Sequence, residues 1–276
     1  MDSALWSRLA PHLELPEGGL VALSGGADSS VLLAALVRAN GPDKVVAATF
    51  RSPLHPPREL ALARALTRRL KVDHRIMDED PLADPEFAEN PENRCYLCKS
   101  RRLEGLVRLA GEKGLKAILD GSNLSDTQGY RPGRQAVEEM GVITPLASAG
   151  LTKTQVAELG QELGLEEWLK PPSSCLATRV PYGERLDQAG LIRIGRAEDL
   201  VTKLTGAEPG SFRVRVQGRT SRLETDPSLW PLLTSEPLHS DLVAKLKELG
   251  FAQVFLNLEP FRSGSQDLAL GLEKQD

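Results

Sequence analysis

The sequence predicts an α/β fold, in which a parallel, twisted sheet carries helices on both faces and a small α+β domain follows. Two observations predict it. Through the first half of the chain, short apolar runs alternate with stretches of helical pattern, and this order is typical of βαβ units. After the helix-breaking residues 171–174 (PPSS), the order changes to helix, hairpin, helix and strand. We therefore predict one domain over 1–184 and a second over 185–276.

The predicted strands of the parallel sheet are apolar runs bounded by turn residues. They lie at 19–23, 45–50, 74–77, 117–120 and 142–146. The predicted helices lie at 30–39, 57–70, 94–113 and 152–164, where Pro57 suits a first turn and Gly164 a C-terminal cap. In the second domain, helices are predicted at 188–204 and 242–249, a hairpin at 212–217 and 219–225, and a strand at 253–258.

Composition narrows the class of protein. The chain has 276 residues, 41% of them hydrophobic, and a net charge of −4, which argues against a general nucleic-acid binder. It contains no apolar run near the roughly 20 residues needed to cross a bilayer, and its N-terminal stretch is polar. Three cysteines fit a disulfide framework poorly. We expect a cytoplasmic protein that binds neither nucleic acid nor membrane.

The most informative segment is Ser24–Ser29 (SGGADS), which joins the first predicted strand to the first predicted helix. Backbone N–H groups at such a turn and the helix dipole attract phosphate, and Gly25 and Gly26 allow close approach. The alternative is an ordinary Gly-Gly turn with Asp28 as a helix N-cap. The segment resembles the PP-loop of ATP pyrophosphatases. That resemblance implies that Ser24 and Ser29 hold pyrophosphate and that Asp28 helps to hold Mg²⁺.

The cysteines form a second group of candidates. Cys95 and Cys98 are three residues apart, so they share one face of a helical turn and could share a metal centre. A C-x-x-C pair is also compatible with a redox pair, half a zinc site or chance. With Cys175, the three thiolates could hold a [4Fe-4S] cluster with one iron open. Cys175 itself is either a small buried residue or a thiolate activated by nearby Arg179 and Arg185.

A turn-rich segment, 120–126 (DGSNLSD), follows a predicted strand and carries Ser122 and Asp126. It is either a capped loop or a nucleotide or Mg²⁺ contact, since it falls at the same sheet edge as the glycine turn. Arg131 and Arg134 add cations suited to phosphate or carboxylate.

Four charged residues of the second domain are either exposed surface residues or part of a binding site. Arg213 and Arg215 share one face of a strand, and the pattern favours a solvated outer face over an anion site. Glu198 and Glu224 look like exposed acids, with the same two interpretations.

Taken together, these segments resemble the LarE family of ATP-dependent sulfur transferases. The matching stretches are SGGADSSVLL, NRCYLCK, DGSNLSDTQGYRPGRQA, TPLASAGLTKTQV, PSSCLATRVPYGERL, FRVRVQG and FRSGS, from residue 24 to 265. The resemblance implies a PP-loop domain like that of the adenine nucleotide alpha hydrolases, with ATP and Mg²⁺ as cofactors. It implies adenylation of a carboxylate of pyridinium-3,5-biscarboxylic acid mononucleotide, and then conversion to a thiocarboxylate for the nickel-pincer nucleotide of lactate racemase.

The resemblance also implies roles for single residues. Asp28 would serve Mg-ATP, Arg179 the adenylated substrate, and Arg213 and Arg215 the substrate phosphate. Glu198 and Glu224 would be metal contacts beside them. In the one-cysteine form of the family the residue at Cys175 gives up its own sulfur, whereas in the three-cysteine form Cys95, Cys98 and Cys175 hold a [4Fe-4S] cluster. This chain matches the three-cysteine form. The family also implies a homo-oligomer and transfer of product to a nickel-insertion enzyme.

Three other functions compete with this one. A tRNA thiolation enzyme also joins a PP-loop to cysteines, but the acidic pI of about 5.7 argues against it. An amidating PP-loop enzyme would need ammonia and no cysteine. A non-catalytic scaffold would bind a nucleotide and a structural zinc.

Overall fold

The computed structural model describes residues 3–127, 132–170, 174–262, 264–269 and 271. The chain divides into two compact units. The first comprises Met1–Ser52, Pro57–Glu79 and Asn93–Lys170, and the second comprises Pro53–Pro56, Asp80–Glu92 and Pro171–Asp276. The sequence pattern predicts a boundary at 184. It does not indicate that two segments of the first half belong to the second unit.

Hydrogen bonds between segments distant in the sequence explain why those two segments belong to the second unit. Leu176 N donates to Leu54 O at 2.8 Å, and Leu186 N donates to Ala88 O at 2.7 Å. The Asn90 side chain donates to Pro181 O at 2.7 Å. No local pattern in the sequence signals such pairings.

The secondary structure has the following bounds. In chain order the helices are α1 (Ala4–Leu9), α2 (Ala27–Asn40), α3 (Pro57–Leu70), α4 (Pro85–Ala88), α5 (Arg94–Lys113), α6 (Pro132–Glu139), α7 (Pro145–Ser148), α8 (Lys153–Glu162), α9 (Gln188–Thr205), α10 (Trp230–Leu233), α11 (Leu238–Glu248) and α12 (Ser265–Ala269). The strands are β1 (Gly19–Ala22), β2 (Val45–Arg51), β3 (Asp73–Asp78), β4 (Ala117–Leu119), β5 (Phe212–Gln217), β6 (Thr220–Thr225) and β7 (Gln253–Leu256).

The sheet of the first unit is parallel, with strand order β3-β2-β1-β4. Successive residues of its central strands enter two different cores. Val21 and Ala47 pack with α2, α3 and α8, whereas Leu20 and Val46 pack with α5 and α6. Apolar side chains on both faces explain why the strands read as continuous apolar runs. The predicted parallel sheet with helices on both faces is confirmed.

The strand predicted at 142–146 is wrong. Within this stretch Ile143 makes one parallel bridge to Leu119, and α7 begins at Pro145. Proline has no backbone N–H to donate to a ladder but suits the first turn of a helix. The apolar run therefore adds one bridge to the edge of the sheet and then turns into a helix.

The second unit carries its own sheet, with order β5-β6-β7. The predicted hairpin pairs β5 with β6 antiparallel, and β7 adds parallel to β6. Asp187 caps the N-terminus of α9, where its side chain accepts from Gly190 N, and the left-handed Gly206 caps the C-terminus. The predicted small α+β region is confirmed. Helix α11 begins at Leu238, before the predicted start at 242.

Candidate functional site

The turn after β1 has the form expected of an anion cradle. Gly26 is the N-cap of α2 in extended conformation, with no side-chain cap, and Asp28 lies in the first helical turn. The alternative in which Asp28 caps the helix is therefore wrong. Gly25 has φ +85°, and a Cβ there would lie 2.2 Å from the carbonyl oxygen of Glu59. Main chain from α3 thus packs directly against this turn, and only glycine fits.

Two serine hydroxyls set the shape of the turn. Ser24 Oγ and Ser29 Oγ lie 3.0 Å apart, and Gly26 N donates to Ser24 Oγ at 3.2 Å. Ser29 Oγ donates to Gly26 O at 3.2 Å. The two serine side chains predicted to hold pyrophosphate are therefore hydrogen-bonded to the main chain of the turn. The same main chain would donate its own N–H groups to the pyrophosphate.

The segment after β4 lies against the same turn. A Cβ on Gly121 would be 2.8 Å from both Ser29 N and Ser29 Cα. The sequence places both segments at the carboxyl ends of adjacent strands, and the structure packs them together. Ser122 and the glycine turn therefore belong to one edge of the sheet.

Lys99, which the sequence analysis missed, completes this edge. Its Nζ lies 2.5 Å from Asp120 Oδ2, and Ser122 donates to Asp120 Oδ1 from both its backbone N, at 3.0 Å, and its hydroxyl. Burial opposes ionisation of Asp120, but the charge of Lys99 and these hydrogen bonds outweigh it, so the pKa of Asp120 lies below its ordinary value of 3.8. The signal that could have found Lys99 is its position directly after Cys98 in the predicted helix.

We expect Asp120→Asn to reduce the free energy of unfolding by about 1–3 kcal/mol at neutral pH. A lowered folded-state pKa means that the ionised carboxyl stabilises the fold above the unfolded-state pKa, and that this stabilisation is lost as the pH falls through the folded-state pKa. The difference from wild type should therefore shrink below pH 3.8. Urea unfolding across pH checks this, with the exposed Asp43→Asn as control. A difference that does not change with pH would contradict it.

Three further residues are predicted to bind the nucleotide, Mg²⁺ or phosphate at this edge of the sheet, namely Asp126, Arg131 and Arg134. Asp126 Oδ2 accepts from Asn123 N at 3.2 Å, so this carboxylate helps to shape its own loop. Arg131 lies outside the described residues. Arg134 pairs with Glu138 one turn along α6, at 2.6 Å. A nucleotide-binding role for Asp126 and Arg131 stays a prediction.

The cysteines are divided between the two units. Cys95 is exposed and Cys98 half-buried, and both lie at the start of α5 in the first unit. Cys175 is half-buried and precedes a short 3₁₀ turn in the second unit. Among the described residues, no group of three or more His, Cys, Asp or Glu side chains is placed to hold a metal ion. The [4Fe-4S] cluster stays a prediction.

Arg179 organises the backbone around Cys175. The arginine is 0% exposed, and its Nε and Nη2 donate to the two carboxylate oxygens of Glu198 at 2.8 and 2.9 Å. Its Nη1 donates to Ser174 O at 2.9 Å, to Cys175 O at 3.3 Å and to Thr178 Oγ1 at 2.8 Å. The buried ion pair therefore fixes the turn that presents the cysteine.

The solvated face predicted for Arg213 and Arg215 is wrong, since they are 4% and 9% exposed. Glu198 and Glu224 are buried as well, not exposed acids. Arg215 Nε donates to Glu224 Oε2 at 2.9 Å, and Val214 N donates to Glu198 Oε1 at 3.1 Å. Alternation of arginine with apolar residues shows which side chains share a face, but not what covers it. As metal contacts, Glu198 and Glu224 stay predictions, and in this structure both carboxylates bind arginine.

Positive charge exceeds negative charge in this cluster. Arg213 has no carboxylate partner among the described residues; its Nη1 donates to Gly210 O and Phe212 O. Burial and the charges of Arg179 and Arg215 lower its pKa to about 10, against the opposing effect of Glu198 and Glu224. Three arginines and two glutamates leave one uncompensated positive charge, so the cluster favours an anion.

The chain is similar to known proteins over most of its length, including parts of both units. The family model for asparagine synthase matches residues 19–123, which include the glycine turn. An uncharacterized protein of Synechocystis is 36% identical over 91% of this chain and 92% of its own. The pyridinium-3,5-bisthiocarboxylic acid mononucleotide synthase of Lactiplantibacillus plantarum is 32% identical over 88% of this chain and 87% of its own. The chain belongs to the LarE family.

Membership in the LarE family makes this chain an enzyme of the PP-loop, ATP-using type. Among solved structures, NMN synthetase from Francisella tularensis matches with a TM-score of 0.49 and 22% identity, over 61% of this chain and 74% of that chain. Across the part of the chain that the structure describes, no helix is both long and apolar enough to span a membrane.

Proposed function

We propose that this LarE-family chain is an ATP-dependent sulfurtransferase. It adenylates a carboxylate of pyridinium-3,5-biscarboxylic acid mononucleotide and converts it to a thiocarboxylate, for synthesis of the nickel-pincer nucleotide. The observation that carries the proposal is the glycine turn, built as an anion cradle, in a chain that matches the Lactiplantibacillus synthase over both of its units. ATP supplies the adenylyl group, and its β and γ phosphates leave as pyrophosphate.

The first unit would bind Mg-ATP. Gly25 and Gly26 let the main chain approach the phosphates, and Ser24 and Ser29 hold the turn in that shape. Asp28, in the first turn of α2, supplies a carboxylate of the kind that Mg²⁺ prefers. These are the features that support ATP and Mg²⁺ as cofactors.

The second unit would bind the other substrate. Arg213 and Arg215 supply the positive charge for its phosphate, and Arg179 holds the Cys175 turn. In the first step a substrate carboxylate oxygen bonds to the α phosphorus of ATP, and pyrophosphate leaves. In the second step sulfur bonds to the carboxyl carbon, and AMP leaves with the oxygen that it received.

We propose that Cys95, Cys98 and Cys175 hold a [4Fe-4S] cluster that binds the sulfur to be transferred. What supports it is the presence of all three thiols, two of them one helical turn apart and accessible. The one-cysteine chemistry, in which Cys175 gives up its own sulfur, is the alternative. We also propose that the chain forms a homo-oligomer and transfers its product to a nickel-insertion enzyme, because the resemblance to the LarE family implies both.

Asp28→Asn should reduce pyrophosphate release with the pyridinium mononucleotide by about 100-fold, because the metal that neutralises the leaving phosphates loses a ligand. Pyrophosphate, AMP and the thiocarboxylate product are measured anaerobically, by coupled assay and mass spectrometry. The exposed Asp43→Asn should leave all three unchanged. Pyrophosphate release that survives Asp28→Asn in full would contradict the proposal, as would turnover only with tRNA or ammonia.

The same anaerobic preparation separates the two sulfur chemistries. A cluster gives a brown protein whose charge-transfer absorbance disappears in Cys95→Ala and in Cys98→Ala. A colourless protein in which Cys175 loses the mass of H₂S with each turnover would instead show that the cysteine is consumed. Full turnover by Cys175→Ala would exclude both.

A further inference from the structure

Phe261 and Ser265 belong to a segment of the LarE resemblance (FRSGS) to which the proposed reaction gives no role. In the second unit, both residues contact the buried arginine cluster. Phe261 N donates to Thr225 O at 3.0 Å at the end of β6, and the Phe261 ring centroid lies 4.5 Å from the Arg213 guanidinium carbon. This separation is within cation–π range.

The first three residues of α12 are held in place by hydrogen bonds. Ser265 Oγ accepts from Arg215 Nη2 at 2.6 Å. Gln266 Nε2 donates to Val180 O at 3.1 Å, and Tyr182 OH donates to Asp267 Oδ1 at 2.7 Å. The start of α12 is thereby held against the arginine cluster and against the loop that follows Arg179.

Some hydrogen-bond donors of this cluster have no acceptor within the described part of the chain. Arg213 uses Nη1 alone, so its Nε and Nη2 donate to no acceptor among the described residues. A hydroxyl has one O–H donor as well as its acceptor lone pairs. Ser265 accepts from Arg215, and its own O–H has no acceptor in the described part of the chain. Arg213 Nε and Nη2 and the Ser265 hydroxyl therefore remain available to an anion, beside the positive charge of Arg215.

We infer that Ser265 is a third ligand of the substrate's phosphate, donating its O–H to the anion that Arg213 and Arg215 hold. This inference rests on the proposed function of those arginines. A phosphate monoester suits the site because its three terminal oxygens can accept from both guanidinium groups and the hydroxyl at once. Arg215 orients the serine, because its Nη2 occupies one lone pair of the hydroxyl oxygen.

The test is calorimetric binding of pyridinium-3,5-biscarboxylic acid mononucleotide and of its nucleoside, which lacks the phosphate. Ser265→Ala should weaken binding of the mononucleotide about 10-fold, the lower end for a hydrogen bond to a charged group, and leave the nucleoside unchanged. Ser265→Thr keeps the hydroxyl and should stay within about 3-fold of wild type. The exposed Ser240→Ala is the matched control and should bind both as wild type does.

Other outcomes would overturn either the role of Ser265 or the proposed function itself. If Ser265→Ala binds the mononucleotide as wild type does while Arg213→Met binds it weakly, the serine is not a ligand and the proposed function stands. If Ser265→Ala weakens both compounds equally, the serine has only a structural role. If wild-type protein binds neither compound, the proposed function fails, and the inference fails with it.

Discussion

Glu198→Ala is expected to lower the free energy of unfolding of the second unit by about 3–5 kcal/mol, because it leaves a buried charge without its partner. Arg179 is 0% exposed and donates to both oxygens of this carboxylate. Val214 N, which also donates to Glu198, loses its acceptor as well. Urea unfolding followed by circular dichroism gives the change in free energy.

Two further variants separate the loss of charge pairing from the loss of packing. Arg179→Met combined with Glu198→Leu removes both charges and keeps apolar volume, so it should be less destabilised than Glu198→Ala alone. Glu208→Ala removes an exposed acid of the same unit and should change stability by less than about 0.5 kcal/mol. If Glu198→Ala were no more destabilising than Glu208→Ala, the ion pair would not be the stabilising contact.

The parallel sheet and the hairpin could be predicted because local patterns encode them. Apolar runs separated by helical stretches specify β1, β2 and their neighbours, and alternation around Gly218 specifies the hairpin of β5 and β6. The glycine turn could be predicted for the same reason, since the residues that form it are consecutive.

The surroundings of the arginines could not be predicted in this way. Arg213 and Arg215 are buried because glutamates on α9 and β6 neutralise part of their charge and because Phe261 covers one of them. These partners are distant in the sequence, and strand periodicity describes only the strand itself. Lys99 was missed for a related reason, since its role depends on Asp120 at the end of another element.

Two ion pairs, one in each unit, hold similar positions relative to the proposed chemistry. Lys99 and Asp120 lie at the sheet edge against which the glycine turn packs, and Arg179 and Glu198 lie beneath the turn of Cys175. A buried pair is weak support for stability in itself, but its directional hydrogen bonds fix a loop in one conformation. We infer that in each unit the charges mainly position a loop.

Gly25→Ala is expected to abolish ATP-dependent pyrophosphate release, with a loss of about 100-fold or more. The new Cβ would meet Glu59 O at 2.2 Å, and the contact is main chain, which cannot rotate away. The φ of +85° adds a cost of about 1–2 kcal/mol for any residue with a Cβ. The turn must therefore move away from α3, and with it the N–H groups that would hold the phosphates.

Two other glycines of the same unit provide comparisons, Gly41 as the control for activity and Gly26 as the control for folding. Gly41 has φ +84°, but a Cβ there would have nothing within 4 Å, so Gly41→Ala incurs the conformational cost without a clash. Gly26 has φ −81°, and its Cβ would meet Ser24 Oγ at 3.4 Å, so Gly26→Ala should fold normally. Pyrophosphate assays and thermal unfolding of all three variants distinguish strain from clash. Activity in Gly25→Ala equal to that in Gly41→Ala would mean that the close approach of Glu59 does not shape the phosphate site.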